Sequence, residues 1–248
     1  MKNILLILSL IISSVAVAQK YNIVNASIAL RNAEKAKGDE IGVLLSEAKE
    51  YIDEAFSTES TANEPKMWNY RAPIYLEIAL KKPELDNLAI IKATDAHIKC
   101  LQKGKKDRII VRKWTAKEDI LAGLIQCGYK LFNVAIDKYN EGDYRTSLIF
   151  YDKIFEIVPF DEEDQLKRGN ITKETILYNS FFSSSKLKDD NKSKELLQRL
   201  IDINFNEPAI YIHMSDIYKR EENMEKAIEY LYLGREMFEE DQSIINTE

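Results

Sequence analysis

The chain has 248 residues, of which 45% are apolar and 31% are charged, so it can fill a hydrophobic core and is not disordered throughout. Only 8 residues are Gly and 5 are Pro, too few turn formers for a sandwich or barrel of many short strands, and this scarcity favours long helices. The net charge of −6 argues against nucleic-acid binding, and two His with two Cys are too few for a metal site built on those ligands.

Residues 1–18 are predicted to be a secretory signal peptide. Lys2 provides a basic start, an apolar run follows from Ile4 to Ile12, and Ala16-Val17-Ala18 has the small side chains of a cleavage site. The run is too short for a membrane-spanning helix, and an uncleaved N-terminal anchor is the alternative. Neither Cys is near the cleavage site, which disfavours a lipid anchor. We therefore expect a soluble protein that is periplasmic or secreted.

Residues 19–103 are predicted to form degenerate helix pairs. Trp68, Ala72 and Tyr75 reproduce a first-helix pattern in which a small residue and a tyrosine follow a large aromatic four and seven positions later. Pro65 is a favourable first residue for this helix. Pro73 lies inside it, and we expect Pro73 to kink or shorten the helix.

A basic connector is predicted at residues 104–116. In and beside it, six cations lie within eleven residues, opposed by Asp107. One interpretation is a patch for an acidic partner or a phosphate. The other, favoured by the interleaved apolar residues, is a solvated connector whose apolar side chains pack on the helices. The cations are Lys103, Lys105, Lys106, Arg108, Arg112 and Lys113, and the apolar residues are Ile109, Ile110, Val111 and Trp114.

The two cysteines, Cys100 and Cys127, leave two alternatives open. Export permits a disulfide between them. Both nevertheless lie in helical apolar patterns, where Cys usually behaves as a small buried hydrophobic residue. The second interpretation is the favoured one.

Residues 117–248 contain the clearest internal repeat. Its best copy, Leu131–Pro159, has two helical patterns separated by a break at Gly142, which predicts two antiparallel helices joined by a tight turn. Residues of similar type recur 16, 20 and 23 positions after Leu131, Leu177 and Tyr211. These positions are Ser147, Tyr151 and Ile154; Ser193, Leu197 and Leu200; and Ala227, Leu231 and Gly234.

The segment NEGDYRTSLIFYDKIFEIVPFD resembles a tetratricopeptide repeat, and the final copy is similar except that Glu222 stands where Gly is usual. The middle copy departs further, since Phe181 and Ser184, four and seven residues after Leu177, stand where Gly and Tyr are usual within the first helix. With the signal peptide, the layout resembles exported tetratricopeptide proteins of Gram-negative bacteria. The resemblance implies an all-α fold, a right-handed superhelix of stacked antiparallel helix pairs with about ten helices. The polar residues 161–170 are expected to be a loop insertion, and residues 241–248 begin like another first helix.

No catalytic motif accompanies this repeat. The sequence has no glycine-rich phosphate loop and no His-Glu-x-x-His pattern, and His97 and His213 each lie alone in a helical segment. The carboxylates at Asp161–Asp164 do not have the spacing of an EF-hand loop, so they most simply keep that surface solvated. We therefore expect a non-enzyme with no catalytic residues, no metal and no cofactor.

The concave side of such an array predicts a partner-binding groove. Positions one, five and eight residues after the packing residues Leu131, Leu177 and Tyr211 are expected to face it, aromatic in the first two copies and more charged in the last. The predicted function is a protein-interaction scaffold of the cell envelope that binds a peptide or partner protein. The alternatives are a module for a small ligand such as a glycan, or a groove covered by residues 160–170. The groove residues are Phe132, Ile136, Tyr139, Tyr178, Phe182, Ser185, Ile212, Asp216 and Lys219.

Overall fold

The computed structural model describes residues 21–104 and 107–238, and the fold of these residues is all-α. Two of the helices are four residues long, so ten longer helices remain, which confirms the prediction of about ten. The predicted signal peptide lies outside the described residues. The helices are α1 (residues 21–35), α2 (Glu40–Ser57), α3 (Glu59–Ala62), α4 (Pro65–Lys81), α5 (Ala89–Leu101), α6 (Lys117–Asn140), α7 (Tyr144–Phe155), α8 (Gln165–Arg168), α9 (Lys173–Lys186), α10 (Asp190–Asp202), α11 (Ala209–Arg220) and α12 (Met224–Met237).

The chain divides into two compact units, one up to Leu131 and one from Phe132 onward. The division lies within α6, which begins just after the predicted connector. Each unit is described by itself below.

Helix α4 is the central helix of the first unit, since it packs against both α2 and α5. It begins at Pro65, as predicted, and buries side chains on every side. The helix continues through Pro73 to Lys81, so the expected shortening is wrong. Ala72 and Ile74 flank the proline and are both fully buried, and packing of this kind stabilises a helix across one missing hydrogen bond.

The apolar side chains of the connector were expected to pack on the helices, and this is confirmed for Val111 but not for Trp114. Val111 is fully buried, whereas Trp114 is 43% exposed. Lys103 pairs with Asp107 at 2.9 Å on the surface, and a short antiparallel bridge joins Lys103 to Ile109. Residues 105–106 lie outside the described part of the chain.

Cys100 and Cys127 are free thiols, and both are fully buried, so they behave as small hydrophobic residues. Burial raises the pKa of each thiol to about 12. Neither sulfur is therefore a thiolate near neutral pH, which removes the form that acts as a nucleophile or metal ligand.

His97 is packed into the same buried region of the first unit. Its Nδ1 lies 2.8 Å from the carbonyl oxygen of Ala93 and 3.8 Å from the sulfur of Cys127. Gly123 of α6 faces the ring so closely that a Cβ there would overlap Nε2 of His97. Burial lowers the pKa of His97 to about 4, and the hydrogen bond to Ala93 opposes this shift only in part. The imidazole is therefore neutral at pH 7.

We expect His97 to make stability depend on pH. Its pKa is about 4 in the folded state and about 6.5 when unfolded, so between these values the unfolded chain binds the extra proton. Stability should fall by about 3 kcal/mol as pH decreases from 7 to 4. For His97→Gln, the free energy of unfolding measured in urea should change less steeply with pH between pH 5 and 7. His213→Gln, which removes the other, half-buried histidine, is the control, and an equal change of slope in both variants would contradict the assignment.

The second unit contains three helical hairpins with the same turn: the part of α6 from Phe132 onward with α7, α9 with α10, and α11 with α12. Gly142, Lys188 and Glu222 occupy equivalent positions, and their φ angles are +83°, +57° and +59°. In each turn this residue donates its N–H to the carbonyl three residues earlier, and the next N–H bonds the carbonyl five residues earlier. This pair of bonds ends a helix in a left-handed residue. The middle and last turns thus keep the geometry without glycine.

The residue after each turn caps the following helix. The side chains of Asp143, Asp189 and Asn223 each accept a hydrogen bond from the backbone N–H three residues later, at 3.0–3.2 Å. Such a cap satisfies an N–H at the helix start that has no partner within the helix. The spacing from turn to cap is therefore the same in all three hairpins.

The predicted repeat positions are buried. Ser147, Ser193 and Ala227, the small residues of the three second helices, are at most 1% exposed. Two of them make hydroxyl pairs with α9: Ser147 lies 3.0 Å from Ser183, and Ser193 lies 2.8 Å from Ser184. Ser183 of α9 therefore contacts the preceding hairpin, and Ser184 of α9 contacts α10, the second helix of the same hairpin.

We expect a glycine at the middle turn to stabilise the protein. Lys188 has a left-handed φ of +57°, which costs an L-residue with a Cβ roughly 1–2 kcal/mol. Lys188→Gly should remove this cost, but glycine also gains flexibility in the unfolded chain, which opposes part of the benefit. The expected net rise in the free energy of unfolding is therefore about 0.5–1 kcal/mol. Gly142→Ala should lower it, although no atom lies within 4 Å of the position a Cβ would take. Denaturant unfolding measures both, and a destabilised Lys188→Gly variant would contradict the assignment.

Candidate functional site

Eight of the nine predicted groove residues are half-buried, and Ser185 is exposed. They lie on the first helix of each hairpin in the second unit, three each on α6, α9 and α11. A half-buried position is available to a ligand and is also held by its neighbours. Phe132, for example, packs its ring edge against Tyr151, with the two ring centres 5.9 Å apart.

A cavity of about 380 Å³ opens on this surface. It is lined by Ile136, Tyr139, Tyr151, Asn179 and Phe182, from helices α6, α7 and α9. Three of these five residues were predicted to face the groove. Its volume lies at the lower end of the range of small-ligand pockets, which is also enough for one large side chain.

Asn179 places a carboxamide in this mainly apolar cavity. Burial raises the pKa of the Tyr151 hydroxyl to about 12, and a hydrogen bond with Asn179 partly opposes the shift. The Tyr151 phenol is therefore neutral at pH 7. A carboxamide has two N–H donors and an acceptor oxygen, so Asn179 retains hydrogen-bonding capacity after this contact. The cavity can hold an apolar group beside a polar one.

Tyr178 belongs to an aromatic cluster rather than to the cavity wall. Its ring centre lies 4.6 Å from that of Phe182 and 5.3 Å from that of Phe205. Burial raises the pKa of its hydroxyl. The cluster packs against the buried core of α9, α10 and α11. Replacing Tyr178 would disturb this packing, so it is a poor probe of binding.

The α11 part of the predicted groove is charged, as expected. Asp216 and Lys219 face each other at 3.8 Å on the half-buried side of the helix. His213 packs on Phe181, with ring centres 4.9 Å apart, and its burial lowers its pKa although Asp216 opposes the shift. Ile212, Asp216 and Lys219 do not line the cavity.

Tyr151 and Asn179 were not predicted as groove residues. Tyr151 was predicted only as a repeat position of the second helix; it is 2% exposed, and it also lines the cavity. Asn179 is two residues after the packing residue Leu177, a position that the groove pattern omitted. A polar side chain among apolar ones at that position was the available signal.

Residues 160–170 contribute nothing to the cavity lining. They form a short helical segment whose Leu166 is buried. Both carboxylate oxygens of Asp161 accept backbone hydrogen bonds, from Gln165 at 2.7 Å and from Leu166 at 2.9 Å. The Asp161 carboxylate therefore caps helix α8.

Within residues 21–104 and 107–238, no group of three or more His, Cys, Asp or Glu side chains is arranged to hold a metal ion. No helix in this part of the chain is long and apolar enough to cross a membrane.

No protein-family model matches the chain, and no curated protein matches it.

Proposed function

We propose that this protein is an exported, non-catalytic scaffold of tetratricopeptide type that binds an extended peptide or a partner protein on the second unit. The observation that carries the proposal is the cavity formed by Ile136, Tyr139, Tyr151, Asn179 and Phe182. Four of its five residues lie on the first helices of the hairpins, where the repeat pattern predicts a groove.

In this proposal the cavity accepts one apolar side chain of the ligand. Ile136, Tyr139 and Phe182 supply apolar contact, and burying a Leu- or Phe-sized group contributes about 1.5–3 kcal/mol. The Asn179 carboxamide pairs with the ligand's backbone, which favours an extended peptide because its N–H and C=O groups are free. One such anchor gives weak binding alone, so further contacts along α9 and α11 are needed.

A second candidate, a small ligand such as a glycan, is favoured by the placement of Tyr139 beside Asn179. Small-ligand sites commonly combine aromatic walls with a few polar groups. The two candidates differ in what they need, since a glycan would use the cavity alone and a peptide would extend beyond it.

The binding test uses a peptide display library and a glycan array with the purified protein. We expect peptides with a recurrent apolar anchor, and Tyr139→Ala combined with Asn179→Ala should weaken their binding at least tenfold by calorimetry. Ile149→Ala, on an exposed residue of α7 outside this cavity, is the matched control. Equal peptide binding by the double variant would exclude this site. Glycan binding that the double variant loses, without peptide binding, would favour the second candidate.

The proposed export has its own test. We expect protein recovered from the envelope of its host to begin at Gln19, because Ala16-Val17-Ala18 is the predicted cleavage site. N-terminal sequencing measures this directly. Protein that retains Met1 would contradict cleavage at this site.

A further inference from the structure

Helix α12 exposes an apolar stripe. Met224, Ile228 and Tyr232 follow one another at four-residue spacing and therefore lie on one side of the helix. They are 54%, 47% and 58% exposed. Large apolar side chains occur singly on most surfaces, but a continuous stripe of them indicates an interaction site.

The equivalent side of α10 carries the next hairpin. Thirty-four residues before the stripe lie Asp190, Lys194 and Gln198, and each of them bonds a residue of α11 or α12 or of the turn between them. Lys194 also lies 5.3 Å above the ring of Tyr218. The bonds join Asp190 to Arg220 at 2.7 Å, Lys194 to Glu221 at 2.5 Å and Gln198 to Tyr230 at 2.8 Å.

The same side of α7 faces α10. Burial raises the pKa of Asp152, which lies forty-six residues before Gln198. The nearby charges of Lys192 and Arg199 oppose this rise only in part. The guanidinium of Arg199 also lies 4.7 Å from the ring centre of Phe155. In both earlier hairpins, therefore, this side of the second helix supports a following helix.

The chemistry of the α12 face differs from that of the equivalent face of α10. Where α10 has a carboxylate, an ammonium and an amide, α12 has Met224, Ile228 and Tyr232. A polar row of this kind is well hydrated when uncovered, whereas exposed apolar side chains gain about 25 cal/mol for each Å² that is buried. The occupant that suits α12 accordingly has an apolar helix face.

The charges beside the stripe specify the occupant further. Glu225, Glu229 and Glu236 lie along one edge of it and are exposed. An antiparallel two-fold contact through α12 would place this acidic edge against its own copy, where like charges repel. A helix with Lys or Arg along the matching edge would be attracted instead.

We propose that the α12 face is a docking surface for a helix of a partner protein, one with an apolar stripe and a basic edge. This surface is separate from the groove, because none of its residues lines the cavity. The groove proposal and this one therefore fail independently.

The first test measures peptide binding by fluorescence anisotropy. The probes are two 20-residue helical peptides with the same leucine stripe, one edged with lysine and one with glutamate. We expect the lysine peptide to bind at least tenfold more tightly, and Met224→Ser with Ile228→Ser and Tyr232→Ser to weaken it at least tenfold. These side chains are exposed, so circular dichroism should be unchanged. The matched control, Tyr139→Ala with Asn179→Ala, should bind the peptide normally.

Three outcomes of this test would overturn the proposal. They are equal binding of the two peptides, equal binding by the triple serine variant, and a tenfold gain in peptide affinity on deleting residues 239–248. The last would mean that the chain itself occupies the face. Sedimentation of the purified protein adds a fourth, a dimer abolished by the triple variant, which would make a second copy the occupant.

A benzophenone amino acid at position 228 identifies the occupant in cells. We expect a crosslink to a partner segment with the apolar stripe and basic edge, lost when Met224 and Tyr232 are serine. A crosslink only to this chain, or to segments without that pattern, would overturn the proposal.

Discussion

The left-handed turn that recurs at Gly142, Lys188 and Glu222 is the constraint on which the second unit depends. It ends one helix with two backbone hydrogen bonds, and the cap one residue later starts the next. Because the turn and cap are the same in all three hairpins, the small residues of the second helices come into register with the first helices. The close contacts at Ser147 and Ser193 follow from that register.

The repeat explains burial better than it explains residue identity. Spacings of 16, 20 and 23 located the buried side of each second helix, because helix periodicity and a constant turn length determine that side. They did not identify Lys188 as the residue of the middle turn, since glycine is absent there; its left-handed φ of +57° is a finding of the structure. A left-handed residue with a Cβ costs roughly 1–2 kcal/mol. Two backbone hydrogen bonds and a helix cap offset this cost, so the turn forms without glycine. The position of the turn therefore could not be found by looking for a glycine in the sequence.

Other features could not be predicted because they depend on contacts between distant segments. Trp114 is one of four apolar residues interleaved with the cations of the connector, yet only Val111 among them is fully buried. Pro73 was expected to kink or shorten its helix, but the helix continues to Lys81 because burial of the residues around the proline outweighs the local signal. Only three of the five residues that line the cavity were predicted, for the same reason. Ile136, Tyr139 and Phe182 follow from the groove pattern, whereas Tyr151 and Asn179 enter through the contact of α7 with α9.

In the hairpins of the second unit, one set of contacts supplies the packing energy and another fixes the alignment of the helices. Where α10 meets α11 and α12, exposed ion pairs such as Asp190–Arg220 contribute little energy, about 0–1 kcal/mol each. The energy comes instead from the buried cluster that includes Leu197, Leu200 and Tyr211. The polar contacts act mainly by geometry, since each is satisfied in only one alignment of the helices. On α12 the polar row is replaced by Met224, Ile228 and Tyr232, so that face offers apolar binding energy without the polar contacts that select one register.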